Sequence, residues 1–138
     1  MKRLKEIEQA IIDSKIVNAG QMECRIVDSR PEPMNETYAD GRYALIDVYE
    51  AEITIENVSD HRFRLFRLFI TEHFRMSKDE EEKFSLNTDP YDDVTNIVEA
   101  QLTLVDREFI IPDPEGEIEI DGQRWTLGEP DTESVSFV

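Results

Sequence analysis

Apolar and polar residues alternate in two long segments of the chain, residues 43–58 and residues 94–110. The alternate apolar positions are Tyr49, Ala51, Ile53 and Ile55 in the first segment and Val98, Ala100, Leu102 and Leu104 in the second. A period of two is typical of a β-strand with one face buried and the other in water. Both segments are therefore predicted to be long, half-buried strands, and the second is predicted to continue through Phe109 and Ile111.

Two further segments carry apolar residues at helical spacing. Leu4, Ile7, Ile11 and Ile12 predict an amphipathic helix over about residues 2–17 that stops near Gly20. A second helix is predicted over residues 61–77, with Ser59 or Asp60 as its N-cap. Its large apolar residues are Phe63, Leu65, Phe66, Leu68, Phe69, Ile70 and Phe74. Because they cover a wide face, this helix is expected to be deeply buried.

The remaining segments are shorter. Residues 22–28 alternate like a strand, whereas residues 29–42 are rich in proline, asparagine, aspartate and glycine and predict a loop at the open end of a hairpin. Residues 78–83, KDEEEK, predict an exposed connection. Pro90 restricts the next segment to a sheet edge or a turn. Residues 117–127 predict a β-hairpin with an Asp-Gly bend.

The order of these elements is helix, strand, strand, helix, strand and hairpin. This order predicts an α+β fold, with a mostly antiparallel sheet of about five strands and two helices packed on one face. We expect one domain over residues 1–128, followed by an irregular acidic tail over residues 129–138.

The chain is strongly acidic, with a formal charge of −17. Residues 1–75 carry 11 basic and 14 acidic side chains, whereas residues 76–138 carry 4 and 18. Such a polyanion repels nucleic acid, so sequence-specific nucleic-acid binding is not expected. Hydrophobic residues make up 39% of the chain, which is too many for a disordered acidic tail.

The sequence carries no apolar run of membrane-spanning length and no signal-peptide pattern, so we expect a protein of the cytoplasm without membrane contact. Cys24 is the single cysteine, which excludes an internal disulfide and a cysteine-based metal cluster. We interpret it as a buried, inert thiol.

Motifs for catalysis are weak. His61 and His73 are too far apart for a zinc-protease motif and are interpreted as surface or helix-packing residues. The pairs Asp92/Asp93 and Glu117/Glu119 could form an acid/base or metal site, but such pairs arise by chance in so acidic a chain. The acidic segment around Pro90 lacks the regular spacing of a calcium-binding loop. We therefore predict no catalytic residue, no metal ligand, no cofactor and no enzymatic activity.

One feature runs against the acidic composition. The second helix carries four arginines: Arg62, Arg64, Arg67 and Arg75. One interpretation is that they flank the apolar face and pair with local acids such as Glu72. The other is that they contact acidic residues of a neighbouring identical subunit, because arginine forms bidentate pairs with carboxylates. These four are the candidate partner-contact residues.

Two phrases of the sequence, "YEAEITIENVSD" before the second helix and "FSLNTDPYDDVTNIVEAQLTLVDREFII" after it, carry a resemblance. In their order of polar and apolar residues, these phrases resemble the tail completion proteins of contractile-tailed bacteriophages, which belong with the tail terminators. The matching features are Asp92 or Asp93 at the start of the second phrase, and Leu102 and Leu104 ahead of Asp106-Arg107. The resemblance spans about residues 40–120. The hairpin at residues 121–127 and the acidic tail depart from the family pattern.

This resemblance implies a structural virion protein. Tail terminators form six-fold rings that cap the tail tube, stop its growth, hold the top of the sheath and join the tail to the head connector. The implied partners are other copies of the chain, the tube protein, the sheath protein and the connector protein. The implied location is the neck end of the virion tail, after assembly in the host cytoplasm.

Two other classes of protein fit the charge. One is an acidic DNA mimic that inhibits a restriction or defence nuclease, although the four-arginine helix would interrupt a DNA-like acidic surface. The other is an immunity-type protein that covers a basic toxin.

Overall fold

A computed structural model describes residues 2–31, 36–37, 43–77, 79–92 and 94–128. The fold is α+β, as predicted, with an antiparallel sheet and two helices. The helices are α1 (Lys2–Ser14) and α2 (Asp60–Arg75), and the strands are β1 (Met22–Pro31), β2 (Glu36–Thr37), β3 (Tyr43–Val58), β4 (Lys83–Pro90), β5 (Asn96–Pro112), β6 (Ile118–Ile120) and β7 (Gln123–Gly128). Hydrogen bonds order the strands β1-β3-β5-β7-β6, and β2 also pairs with β3 and β4 with β5.

The chain forms two compact units. The first comprises residues 1–29 and 49–105, and the second comprises residues 30–48 and 106–138. The long strands β3 and β5 contribute residues to both. The predicted acidic tail over residues 129–138 lies outside the described residues.

In the first unit, α1 and α2 cover one face of the sheet. The alternation predicted for β3 and β5 is confirmed, because Ile53, Ile55, Val98, Ala100 and Leu104 are completely buried. They pack with residues of both helices in one hydrophobic cluster. Burial of this apolar surface is the main force that holds the first unit together.

Helix α1 is shorter than predicted. It ends at Ser14 rather than near residue 17, and Lys15 has the left-handed φ of 61°. The amide of Lys15 donates to the carbonyl oxygen of Ile12 at 3.1 Å, which closes the last turn. Gly20 lies in a separate 3₁₀ turn, Ala19–Gln21, so it does not end the helix.

Helix α2 begins where its cap predicts. The Ser59 side chain accepts a hydrogen bond from the amide of Arg62, so Ser59 is the N-cap. Phe66 and Ile70 are buried against the sheet. The expectation that all the large apolar residues are buried is wrong for Leu68, which is 62% exposed. Leu68 lies two residues from both Phe66 and Ile70, and residues at that spacing do not share a helix face.

Strand β4 lies at an edge in the first unit, as Pro90 predicts. It pairs with β5 from Lys83 opposite Thr103 to Pro90 opposite Asn96. Pro90 is the last residue of the strand, where a missing amide donor interrupts no hydrogen bond within it.

The second unit contains part of the predicted loop over residues 29–42. Here β1 continues to Pro31, and Glu36 and Thr37 pair with Ala44 and Tyr43, so the loop prediction is wrong for these residues. The predicted hairpin is confirmed as β6 and β7. Asp121 and Gly122 both have positive φ angles, 51° and 81°, as a two-residue turn between twisted strands requires.

Candidate functional site

The outward face of α2 is the most unusual surface of the first unit. Arg64, Leu68 and Arg75 are exposed there, on the side opposite Phe66 and Ile70. Arg67 is exposed at the flank of this face, next to β4. This arrangement follows from the helical period, since residues three and four apart share a face. We call Arg64, Arg67 and Leu68 the basic face of α2.

The four candidate arginines have different surroundings. Arg75 donates two hydrogen bonds to one carboxylate oxygen of Glu72, at 2.8 and 3.0 Å. These hydrogen bonds and the charge of Arg75 lower the pKa of Glu72. Arg62 donates from Nη1 to the carbonyl oxygen of Lys15 at 3.4 Å. Thus Arg75 fits the local-pairing interpretation.

Arg64 and Arg67 are different. Within the described part of the chain, neither guanidinium makes a hydrogen bond or an ion pair. Arg67 borders a shallow cavity of about 330 Å³ between α2 and β4, together with Phe63, Thr71, Phe84 and Leu86. Two exposed arginines without local carboxylate partners, in a chain of charge −17, are available to bind an acidic partner.

Apolar surface lies beside these arginines. Leu68 and Met76 are 62% and 68% exposed. They border a second shallow cavity of about 450 Å³, lined by Arg3, Leu68, Phe69, Glu72, His73, Met76 and Ser77. A mixture of exposed apolar residues and arginine is typical of the surfaces that proteins use to bind one another.

A buried ion pair anchors α1 beneath this surface. The guanidinium of Arg3 donates to both carboxylate oxygens of Glu82, with Nε 2.9 Å from Oε2 and Nη2 3.0 Å from Oε1. Ser77 Oγ and the amide of Val105 also donate to this carboxylate, at 2.7 and 3.2 Å. The Glu82 side chain is only 2% exposed, so the predicted solvent exposure of residues 78–83 is wrong for Glu82.

His73 packs next to this ion pair. Its ring stacks on Phe69, and its Nε2 is buried without a hydrogen-bond partner among the described residues. Burial, and then the charge of Arg3, lower the pKa of His73. His73 is thus a helix-packing residue, as predicted, and its burial favours the neutral form.

The opposite, uncovered face of the sheet in the first unit is acidic. We call it the open face. It carries six carboxylates and two basic side chains: Glu23, Glu50, Glu52, Glu56, Asp89 and Glu99, with Arg25 and Lys83. Arg25 and Glu52 form an exposed ion pair at 3.1 Å. A cavity of about 330 Å³ opens on this face between β1, β3, β5 and β4.

In the second unit, the β6–β7 hairpin has an exposed apolar face. Ile118 lies opposite Trp125, and Ile110 lies opposite Leu127. Ile118, Ile120 and Leu127 are 54%, 44% and 63% exposed. Among the described strands, β6 has a neighbour on one side only, so this hairpin combines a strand edge with exposed apolar side chains, a combination suited to protein contacts.

The residues considered for chemistry have structural roles where the structure describes them. Asp92 Oδ1 accepts from the amides of Val94 and Thr95, both at 2.8 Å, and these two hydrogen bonds lower its pKa. Asp92 therefore closes a turn, and Asp93 lies outside the described residues. Glu119 approaches Arg124 at 3.5 Å. Among the described residues no cluster of three metal-binding side chains occurs.

Cys24 is half-buried against the core, rather than fully buried as expected. Burial, and then a hydrogen bond with Glu8, raise the pKa of its thiol to about 12, so the inert character predicted for it is supported. No helix in the described ranges is long and apolar enough to cross a membrane.

No protein-family model, no curated protein and no solved structure matches this chain. The surfaces described above are therefore the basis for assigning a function.

Proposed function

We propose that this chain is a tail completion protein of a contractile phage-type tail. In this proposal it assembles as a ring of about six copies, caps the tail tube, stops tube growth and joins the tail to the head connector. The ring also holds the top of the sheath. The sequence resemblance over residues 40–120 supplies the class of protein, and the surfaces of the first unit support it.

The observation that carries the proposal is the basic face of α2. Arg64 and Arg67 are exposed without an ion pair among the described residues, and exposed Leu68 lies next to them. A surface of this composition favours a protein partner. The rest of the chain is acidic, so a second copy of the same chain supplies complementary charge.

The same observation favours this proposal over a DNA mimic. A DNA mimic needs carboxylates along an extended surface, and two free arginines on a helix interrupt such a surface. The apolar face of the β6–β7 hairpin also has no role in imitating a phosphate backbone, whereas it suits contact with tube or sheath protein.

The first test is the mass of the chain in solution at raised concentration, by sedimentation. We expect association toward a ring, and Arg67→Glu is expected to weaken it by at least about tenfold, because a close like charge replaces an ion pair. Lys5→Glu is the matched control. Lys5 is exposed on α1, and this variant has the same change in net charge but should associate normally.

The second test uses the tube protein encoded by the same genome. Co-assembly is expected to give tubes of limited length with a ring at one end, visible by electron microscopy. Tubes of unlimited length without a ring would contradict the proposal. A monomer that instead binds a nuclease tightly and in a salt-sensitive way would identify the DNA-mimic class.

A further inference from the structure

We propose that the basic face of α2 in one copy docks onto the open face of the sheet in the next copy, at the cavity that Glu50 and Glu52 border. This inference rests on the self-assembly proposed above and identifies the two surfaces that meet. It makes the contact head-to-tail, since the two surfaces are different parts of the chain.

The open-face cavity has the composition that the basic face requires. Glu50 and Glu52 supply two carboxylates against one lysine, Lys83, in the lining of the cavity. Val27, which is 57% exposed, supplies apolar surface for Leu68. Gln101 and Thr103 line the same cavity and offer hydrogen-bonding groups. The cavity holds about 330 Å³, which is enough for the ends of large side chains to enter.

The spacing of the charges also matches. Arg64 and Arg67 are three residues apart on a helix, so their Cβ atoms lie about 5–6 Å apart. Glu50 and Glu52 are two residues apart on a strand and point to the same side, about 7 Å apart. Each arginine can therefore face one carboxylate, with the helix lying along the strand. Arg25 of the same copy bonds only Oε1 of Glu52, which leaves Oε2 to accept from the incoming arginine.

The basic face of α2 and the open face of the sheet cannot contact each other within one copy. Helix α2 covers the face of the sheet formed by Ile53 and Ile55, whereas Glu50 and Glu52 lie on the opposite face. Contact between them therefore requires two copies, and every copy presents one basic face and one open face. Repetition of such a contact produces a closed ring when the rotation between copies closes, and a filament otherwise.

The experiment is a charge exchange between two variants. In the first variant, Arg64→Glu and Arg67→Glu make the helix face acidic. In the second, Glu50→Lys and Glu52→Lys make the cavity basic. Each variant alone would juxtapose like charges and should stay monomeric, with at least about a tenfold loss of association. Thermal melting checks that both remain folded.

An equal mixture of the two variants is expected to recover association. The basic helix of the second variant fits the acidic cavity of the first, and the acidic helix of the first fits the basic cavity of the second. The restored ring alternates the two variants, so it requires an even number of copies, which six satisfies. Sedimentation of the mixture against each variant alone measures the recovery.

The outcomes separate this inference from the proposed function. If the wild-type chain associates but the mixture does not recover, or if either variant assembles normally by itself, the docking is overturned while self-assembly stands. If the wild-type chain stays monomeric both at raised concentration and in the presence of tubes, the proposed function fails, and the docking fails with it.

Discussion

The two faces of the sheet in the first unit are built from alternate residues of the same strands, yet the charged side chains on the two sides differ in burial and in hydrogen bonding. On the covered face, Ile53 and Leu104 are completely buried, and just before β4 the buried carboxylate of Glu82 accepts hydrogen bonds from three different residues. On the open face, Glu50 is exposed, and Glu52 has an exposed ion pair with Arg25. Charge on the covered face therefore stabilises the fold, whereas charge on the open face is available for a partner.

The difference follows from desolvation. A buried carboxylate loses its hydration and must regain the lost interactions from protein donors, whereas an exposed one keeps its water. Burial also opposes the charge of Arg3, but the hydrogen bonds and charge of Glu82 more than offset this, and the pKa of Arg3 is raised. Substitutions that move charge from one face to the other test this contrast.

The largest effect is expected for a charge placed on the covered face. Leu102 is 2% exposed, so Leu102→Asp both removes core packing and buries an unpaired carboxylate. We expect a loss of at least about 4 kcal/mol in the free energy of unfolding, enough to unfold the protein. Gln101→Asp is the matched control on the open face and should cost less than about 1 kcal/mol. Urea denaturation measures both, and similar losses would mean that the two faces do not differ.

A smaller effect is expected for the removal of the buried charge of Glu82. Glu82→Gln keeps the size of the side chain but removes the nearer counter-charge of the Arg3 guanidinium, which is 19% exposed, and leaves Glu6 at 3.6 Å as the remaining carboxylate. The expected loss is about 3 kcal/mol. Glu81→Gln changes the neighbouring, exposed glutamate and should change stability by less than about 0.5 kcal/mol. Equal thermal stability of the two variants would show that the Arg3–Glu82 pair does not hold α1.

The smallest effect concerns His73, the titratable group packed beside that pair. Because burial and Arg3 lower its pKa, the unfolded chain binds a proton more readily than the folded one. The contribution of His73 to stability is therefore fully present above the ordinary histidine pKa of about 6.5. It is lost as the pH falls below that value toward the lowered pKa of the folded state. His73→Phe keeps the ring and removes the titration, so its unfolding free energy should fall less between pH 7.5 and 5.5. Parallel pH profiles of the two proteins would exclude this role.

Local pattern was sufficient to predict several elements. The bounds of β3, the Ser59 cap, the edge position of β4 and the Asp-Gly bend were all predicted correctly. Each depends on neighbouring residues alone: a period of two, a side chain that accepts from an amide three residues ahead, a missing donor, or two positive φ angles. The candidate arginines were also located correctly on one helix, because helical spacing is a local property.

Other properties were not predictable from local pattern. Glu80, Glu81 and Glu82 are three consecutive glutamates that no local pattern distinguishes. Of these three side chains only that of Glu82 is buried, in a contact with Arg3 of α1. Leu68 was expected in the core, but the width of the covered face was set by how α2 rests on the sheet. The pairing of Arg75, in contrast, was visible in the sequence, because Glu72 lies three residues before it on the helix, whereas no acidic residue lies three or four residues from Arg67.

By itself, the sequence determined which residues of a strand or helix share a face, because backbone geometry repeats every 2 or 3.6 residues whatever the rest of the chain does. Only the tertiary structure decided how much of α2 is covered and which carboxylate is buried and neutralised. Those outcomes depend on groups brought together from distant positions, 79 residues apart for Arg3 and Glu82, and on the cost of desolvating each charge where it comes to lie.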